Sequence, residues 1–357
     1  MTSSALFEPA KLGPLRLRNR LVMAPMTRTR AEADGVPSPM MAAYYAQRAS
    51  AGLIIAEAAT PNEVGRTYPN IPAIHHERHV DGWRRVTGAV AAPMFLQLQH
   101  GGRIGHPANS GLTPVAPSPI PLPDTIFTPD GHRPAVVPEE MTTAEVRSTI
   151  EDFATAARNA VDAGFAGVEV HAANGYLLHQ FLARGTNQRA DEYGGSAEGR
   201  IRFVVEVTRA VVEAIGREHV GVRISPGFTG NGMREDDTDD LYAALVEALD
   251  AAYLHVVFAD PEQPLFHRIR RAWPGVLIAN PALPWPGPLL ADGGKSAGER
   301  LLDAGADLIA LGRAFLANPD LVERLREGAP LNEIRGRELM YVGGEAGYLD
   351  YPTRALA

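Results

Sequence analysis

The chain has 357 residues, 45% of them hydrophobic, and a formal net charge of −8. That length suits one α/β barrel with a substantial core, and the acidic balance argues against a nucleic-acid partner. The absence of cysteine excludes disulfides, thiolate metal sites, Cys-ligated iron–sulfur clusters and a Cys nucleophile. No apolar run is long enough to span a bilayer, and the N-terminus lacks a basic start followed by an apolar stretch, so no membrane partner and a cytoplasmic location are expected. Lysine occurs only at Lys11 and Lys295, which leaves a Schiff-base mechanism two candidates.

In chain order, short apolar strands alternate with amphipathic stretches. The N-terminal Leu6–Arg20, turning at Gly13-Pro14, reads as a small hairpin that closes a barrel bottom. Strands are expected at Leu21–Pro25, Leu53–Glu57, Met94–Gln99, Gly167–His171, Val220–Ser225, Tyr253–Phe258, Gly275–Ala279 and Leu308–Leu311. Helical patterns lie near 38–50, 76–91, 143–163, 197–216, 237–251, 262–272, 296–304 and 319–328. Eight such alternations predict a (β/α)8 TIM barrel in a single domain over 1–357, with functional residues at the C-terminal strand ends. A doubly wound dinucleotide-binding sheet is disfavoured because no Gly-x-Gly-x-x-Gly follows any strand. Residues 107–138 carry nine of the 29 prolines and little periodicity, and read as a capping excursion after the third strand. A Pro- and Gly-rich loop, Asn280 to Gly294, follows the seventh strand, where barrels often build phosphate sites.

The fourth strand runs out into His171-Ala-Ala-Asn174-Gly-Tyr176. An imidazole, a carboxamide and a phenol leaving one strand end can converge on a single substrate. Two of them can donate to one oxygen while the third supplies a proton, which suits polarisation of a carbonyl or nitro group. In isolation, His-x-x-Asn reads as a capped strand end with a satisfied core histidine. The other strand ends supply Ala24-Pro25-Met26-Thr27, Ala58, Gln97 and Gln99 before His100, Arg223, and Gly312-Arg313. Arg223, on an otherwise apolar strand, is expensive to bury without an anionic partner. Gln97 reads equally as an ordinary core amide, and Thr27 as a cap for the segment after it. A mouth offering hydroxyl, carboxamide, guanidinium and a Gly-Arg corner suits a flat polar heterocycle that carries a phosphate, a description flavin mononucleotide fits.

Other motifs fail on spacing. Gly293-Gly294-Lys295-Ser296 lacks the glycine a P-loop needs, with Leu289 in its place. In His75-His-Glu-Arg-His79, Glu77 points away from the His75/His79 face, so a surface histidine cluster is expected rather than a zinc site. Glu235-Asp-Asp-Thr-Asp-Asp240 reads as a solvated helix start. A metal-dependent lyase or hydrolase built on Glu57, His100, Glu169 and His171 is the alternative class, and a flavin-binding protein without turnover is another. No set recurs at metal spacing, and the metal expectation is none.

The segments Asn19-Arg-Leu-Val-Met-Ala-Pro-Met-Thr27, Tyr44-Tyr-Ala-Gln-Arg-Ala-Ser-Ala-Gly-Leu-Ile-Ile-Ala-Glu-Ala58, Gln97-Leu-Gln-His-Gly-Gly-Arg103, His171 to Leu182, Asn187-Gln-Arg-Ala-Asp-Glu-Tyr-Gly-Gly-Ser196 and Leu311 to Leu321 together resemble the Old Yellow Enzyme family of FMN-dependent ene-reductases, in its main-branch bacterial form. The likeness runs almost end to end. It implies a ping-pong reduction of activated alkenes by NAD(P)H, with NADPH favoured, in a monomer or small homo-oligomer.

Residue by residue, the resemblance implies that Thr27 tunes the flavin, that the Pro25–Met26 and Ala58 backbones line its ring, and that Gln97 and Arg223 bind its pyrimidine end. It gives Gly312 and Arg313 the phosphate, with Asn280 as a further candidate. His171 and Asn174 would grip the substrate oxygen, Tyr176 would protonate Cα, and Tyr68 and Tyr341 would wall the pocket. Three features depart from the family pattern: Gln99 replaces an aromatic, Asn280-Pro281 replaces a Gly-rich turn, and the loop containing Trp285 looks longer than usual.

Overall fold

The computed structural model describes residues 4–284 and 287–354; Trp285 lies outside them. Eight parallel strands close into a barrel: β1 (Leu21–Met23), β2 (Leu53–Ala59), β3 (Met94–Leu98), β4 (Gly167–Ala172), β5 (Val220–Ile224), β6 (Tyr253–Ala259), β7 (Val276–Pro281) and β8 (Leu308–Leu311). Closure comes from β8 pairing with β1, Ile309 opposite Leu21. The (β/α)8 expectation therefore holds. Strands covered on both faces bury nearly every side chain, which is why they read as largely hydrophobic runs, interrupted at Gln97, Glu169, His171, Arg223 and His255. β1 stops short of Pro25, which has no N–H to give the ladder.

Around the barrel lie α1 (Pro39–Ala46), α2 (Glu77–Ala89), α3 (Thr143–Asp162), α4 (Ala197–Ile215), α5 (Thr238–Ala248), α6 (Pro264–Ala272), α7 (Lys295–Asp303) and α8 (Leu321–Glu327). Their ends follow local chemistry. Thr142 and Glu145 form a reciprocal capping box at the start of α3, Ser196 caps α4, and Gly328, at φ +65°, ends α8. A five-residue helix at Arg313–Ala317, fully apolar after its arginine, gave no periodic signal and was not expected.

The hairpin Ala10–Leu12/Leu15–Leu17 places Leu12 and Leu17 among Val22, Leu53, Phe95, Ile278 and Leu308 and so plugs the barrel bottom. Lys11 lies in that hairpin, at the opposite end from the strand C-termini, and Lys295 opens α7 with its Nζ donating to the Leu325 carbonyl. The excursion after β3 is more regular than its prolines suggest, because it folds Thr125–Thr128 against Gly131–Pro134 as a hairpin. Its Leu122 and Ile126 pack with Ile104 beside Tyr68 and Tyr176, over the barrel mouth.

Candidate active site

β4 delivers His171 to the mouth, where it is 3% exposed and its Nδ1 finds no hydrogen-bond partner among the described residues. Burial, then the nearby Arg223 charge, pushes its pKa well below the ordinary histidine value, so the ring is neutral. The chain then turns sharply. Asn174 adopts φ +57° and Gly175 +81°, a left-handed pair that asparagine and glycine tolerate best.

Three groups hold this turn. Asn174 N–H donates to Ser225 Oγ at 2.8 Å, Asn231 Nδ2 donates to the Asn174 carbonyl at 2.8 Å, and Gly175 N–H donates to His179 Nδ1 at 2.9 Å. His179 in turn bonds Glu235, which also accepts from Tyr242 and Gly227. Glu235 is thus a buried anchor rather than part of a solvated helix start.

The turn brings Tyr176 back over His171, ring centroids 5.3 Å apart. Its hydroxyl lies 3.4 Å from Tyr68 Oη. Burial, then Tyr68, raises the Tyr176 pKa well above that of a free phenol, and Tyr341 lies close enough to add to the effect. Tyr341 itself is 38% exposed, on the short helix Glu338–Tyr341. His171, Asn174, Tyr176, Tyr68 and Tyr341 therefore gather at one end of the barrel.

Gln97, on β3, is buried and donates to Glu169 at 2.8 Å. Arg223, on β5, donates from Nη2 to Asn280 Oδ1 at 3.1 Å, while its Nε finds no partner among the described residues. Thr27 is half-buried and caps nothing, since α1 begins at Pro39 with Ser38 before it. Ala58 is buried near the end of β2, and a Cβ on Gly312 would stand 3.3 Å from Met26 Sδ, so the ends of β1 and β8 meet closely. Arg313 turns toward the loop after β7 and donates to the carbonyls of Pro284 and Gly287, both at 2.5 Å.

Buried guanidinium and imidazole nitrogens left without partners among the described residues at the strand C-termini, beside a carboxamide and a phenol, fit a flat, hydrogen-bonding heterocycle. They do not fit a metal. Among the described residues no group of three or more His, Asp or Glu could hold one. Glu57 is instead engaged by Tyr45 and the Arg28 N–H, and Glu169 by Gln97, Tyr253 and His255. The expected surface histidine cluster also needs correction, because His79 is fully buried, its Nδ1 accepting from His76 N–H.

A family model described as NADH:flavin oxidoreductase / NADH oxidase matches residues 5–332. The chain belongs to that family. The oxidoreductase is 40% identical to a probable flavin mononucleotide-dependent alkene reductase of Leishmania infantum, over 97% of each chain. It is 38% identical to 12-oxophytodienoate reductase 7 of Oryza sativa subsp. japonica, over 97% of this chain and 94% of the other. Among solved structures, the Old Yellow Enzyme homologue of Zymomonas mobilis superposes with a TM-score of 0.91 at 38% identity, covering 98% of this chain and 99% of that one. Morphinone reductase in complex with tetrahydroNAD gives 0.90 at 40% identity, covering 98% and 97%. The oxidoreductase is thus a flavin-dependent enzyme of the Old Yellow Enzyme type.

In the sequence Glu169 stood out only as a candidate metal ligand, and Ser225, Asn231 and His255 did not stand out as functional residues. Glu169 stands two residues before His171 on a strand, so both side chains face the barrel interior. That spacing was the available signal.

Proposed function

We propose that the oxidoreductase takes hydride from NAD(P)H and reduces the activated C=C bond of α,β-unsaturated carbonyl or nitro compounds, with His171, Asn174 and Tyr176 as its catalytic residues. The observation that carries this reading is the buried, neutral His171 with a free Nδ1 beneath the Tyr176 ring. FMN, when bound, supplies the hydride store that lets reductant and alkene use one site in turn. Gln97 and Arg223 would hold its pyrimidine edge. Thr27 and the backbones of Pro25, Met26 and Ala58 would line the ring. Gly312, Asn280 and Arg313 would stand near the phosphate, Arg313 after exchanging its loop carbonyls for it.

At the substrate end, a neutral imidazole and a carboxamide each present a donor to one oxygen. Charge that develops there during reduction is stabilised by donors already in position. The Tyr176 hydroxyl, protonated across the physiological range, gives its proton to Cα. Tyr68 holds that hydroxyl in place, and Tyr341 closes the outer wall. NADPH as the preferred donor, a cytoplasmic location and a monomer or small homo-oligomer complete the proposal.

An anaerobic visible spectrum of the purified protein tests it: a flavin spectrum should bleach with NADPH and return when 2-cyclohexenone is added. A flavin that bleaches and stays bleached would remove the alkene from the reading, and one that NADPH cannot bleach would remove turnover. Comparing kcat/KM for NADPH and NADH settles the donor.

A further inference from the structure

Interior side chains divide the barrel into two halves. On the side of β7, β8, β1 and β2 the filling is apolar, with Ile278, Leu308, Ala310, Val22 and Ile55. On the side of β3 to β6 Phe95 is joined by a polar group whose centre is Glu169, at 0% exposure. Glu169 Oε1 accepts from Gln97 Nε2 at 2.8 Å. Oε2 accepts from His255 Nδ1 at 2.8 Å and from Tyr253 Oη at 3.1 Å. Room for this hub is made by Gly221. A Cβ there would fall 2.0 Å from the Tyr253 ring, which lies across the glycine and carries its hydroxyl to the carboxylate.

An ionised carboxylate sealed inside a barrel is costly even when fully bonded, and apolar filling like that of the opposite half would serve stability better. Burial opposes ionisation, yet His255, then Arg223 and Gln97, bring the Glu169 pKa below the ordinary value. The charge is therefore retained, and it sits directly under the residues that face the proposed cofactor.

We infer that Glu169 is a positioning residue for the flavin: it turns the Gln97 carbonyl outward to accept from the N3–H of the pyrimidine ring, and it offsets the positive charge that Arg223 presents to that ring. A carboxylate only accepts, so the Gln97 NH2 must face it, which leaves the amide oxygen for a donor above. Arg223 and Glu169 leave neighbouring strands into the same interior, so the field at the pyrimidine edge is that of the pair and not of the guanidinium alone. The inference rests on the flavin roles proposed for Gln97 and Arg223.

Its test is the midpoint potential of the holoenzyme, read by equilibration with a reference dye. Glu169→Gln keeps the volume and removes the charge. The redox equilibrium should shift at least tenfold toward reduced flavin, about 30 mV for a two-electron couple. Tyr253→Phe keeps the charge and removes one bond, and should stay within threefold of the parent. An unchanged potential in E169Q, or an equal shift in Y253F, overturns the inference. A second measurement needs no variant. Wild-type protein reconstituted with N3-methyl-FMN should bind it at least tenfold more weakly than FMN, whereas equal affinity overturns the orientation of Gln97. Wild-type protein that takes up no FMN at all would instead overturn the flavin roles on which the inference stands.

Discussion

At the scale of single residues, the site works through groups whose charge burial has suppressed. Neutral His171 donates without carrying charge, and Tyr176 keeps its proton because burial and Tyr68 both resist ionisation. Neither group titrates near neutrality, so the rate of enone reduction by reduced enzyme should be flat from about pH 6 to about pH 9, the range between an ordinary histidine and an ordinary tyrosine. Stopped-flow reoxidation would show it, and an inflection near the ordinary histidine pKa would assign His171 a charged role instead. His171→Ala should remove one oxyanion donor and cost about 3 kcal/mol of barrier, roughly a hundredfold in rate. Tyr176→Phe should slow enone reduction far more than nitroalkene reduction, because a nitronate is stable enough to leave and protonate in water. Equal losses on both substrates would take the proton-donor role away from Tyr176.

At the scale of elements, what matters is how a turn in an unfavourable conformation is held. Asn174 at φ +57° depends on Ser225 from the end of β5 and on Asn231, itself at φ +54°, from the loop that follows. That loop is tied to the excursion after β3 by Arg103, which donates to the carbonyls of Asn231 and Gly232 at 2.7 and 3.0 Å and reaches Pro121 on the other side. Three chain segments far apart in sequence therefore hold one turn. Ser225→Ala should leave the Asn174 N–H without its partner, at a cost of about 1–3 kcal/mol to the turn. The expected result is a KM for enones raised about tenfold at unchanged flavin content, following from that energy. An unaltered KM would show that the turn stands without Ser225.

At the scale of the whole molecule, the C-terminal segment that carries Tyr341 is fastened to the region beside Thr27 by two buried arginines. Arg28 donates to the carbonyls of Met340 and Gly347, and Arg30 to those of Leu339 and Val342. Glu57 lies within this fastening with its pKa pushed up to about 7, chiefly by burial. A folded pKa above the unfolded one means that the native state prefers the protonated carboxyl. Its contribution is fully present below about pH 4.5 and is lost as pH rises through about 7. Glu57→Gln should therefore gain thermal stability relative to the parent as pH rises, by up to about 3 kcal/mol above neutrality. Melting curves at acidic and alkaline pH check this, and a difference that does not grow with pH refutes it. The barrel itself was legible in the chain because strands covered on both faces are largely apolar and the helices between them must be amphipathic, and both patterns are written locally. His171, Asn174, Tyr176, Gln97 and Arg223 stood out for the same reason, as polar groups placed where an apolar strand ends. Glu169, Ser225, Asn231 and Glu235 did not, because an acidic or hydroxyl side chain looks alike whether water or a buried partner receives it. Closure of the sheet supplied those partners, bringing Gln97, Tyr253 and His255 from two other strands onto one carboxylate, and no spacing along the chain encodes that meeting.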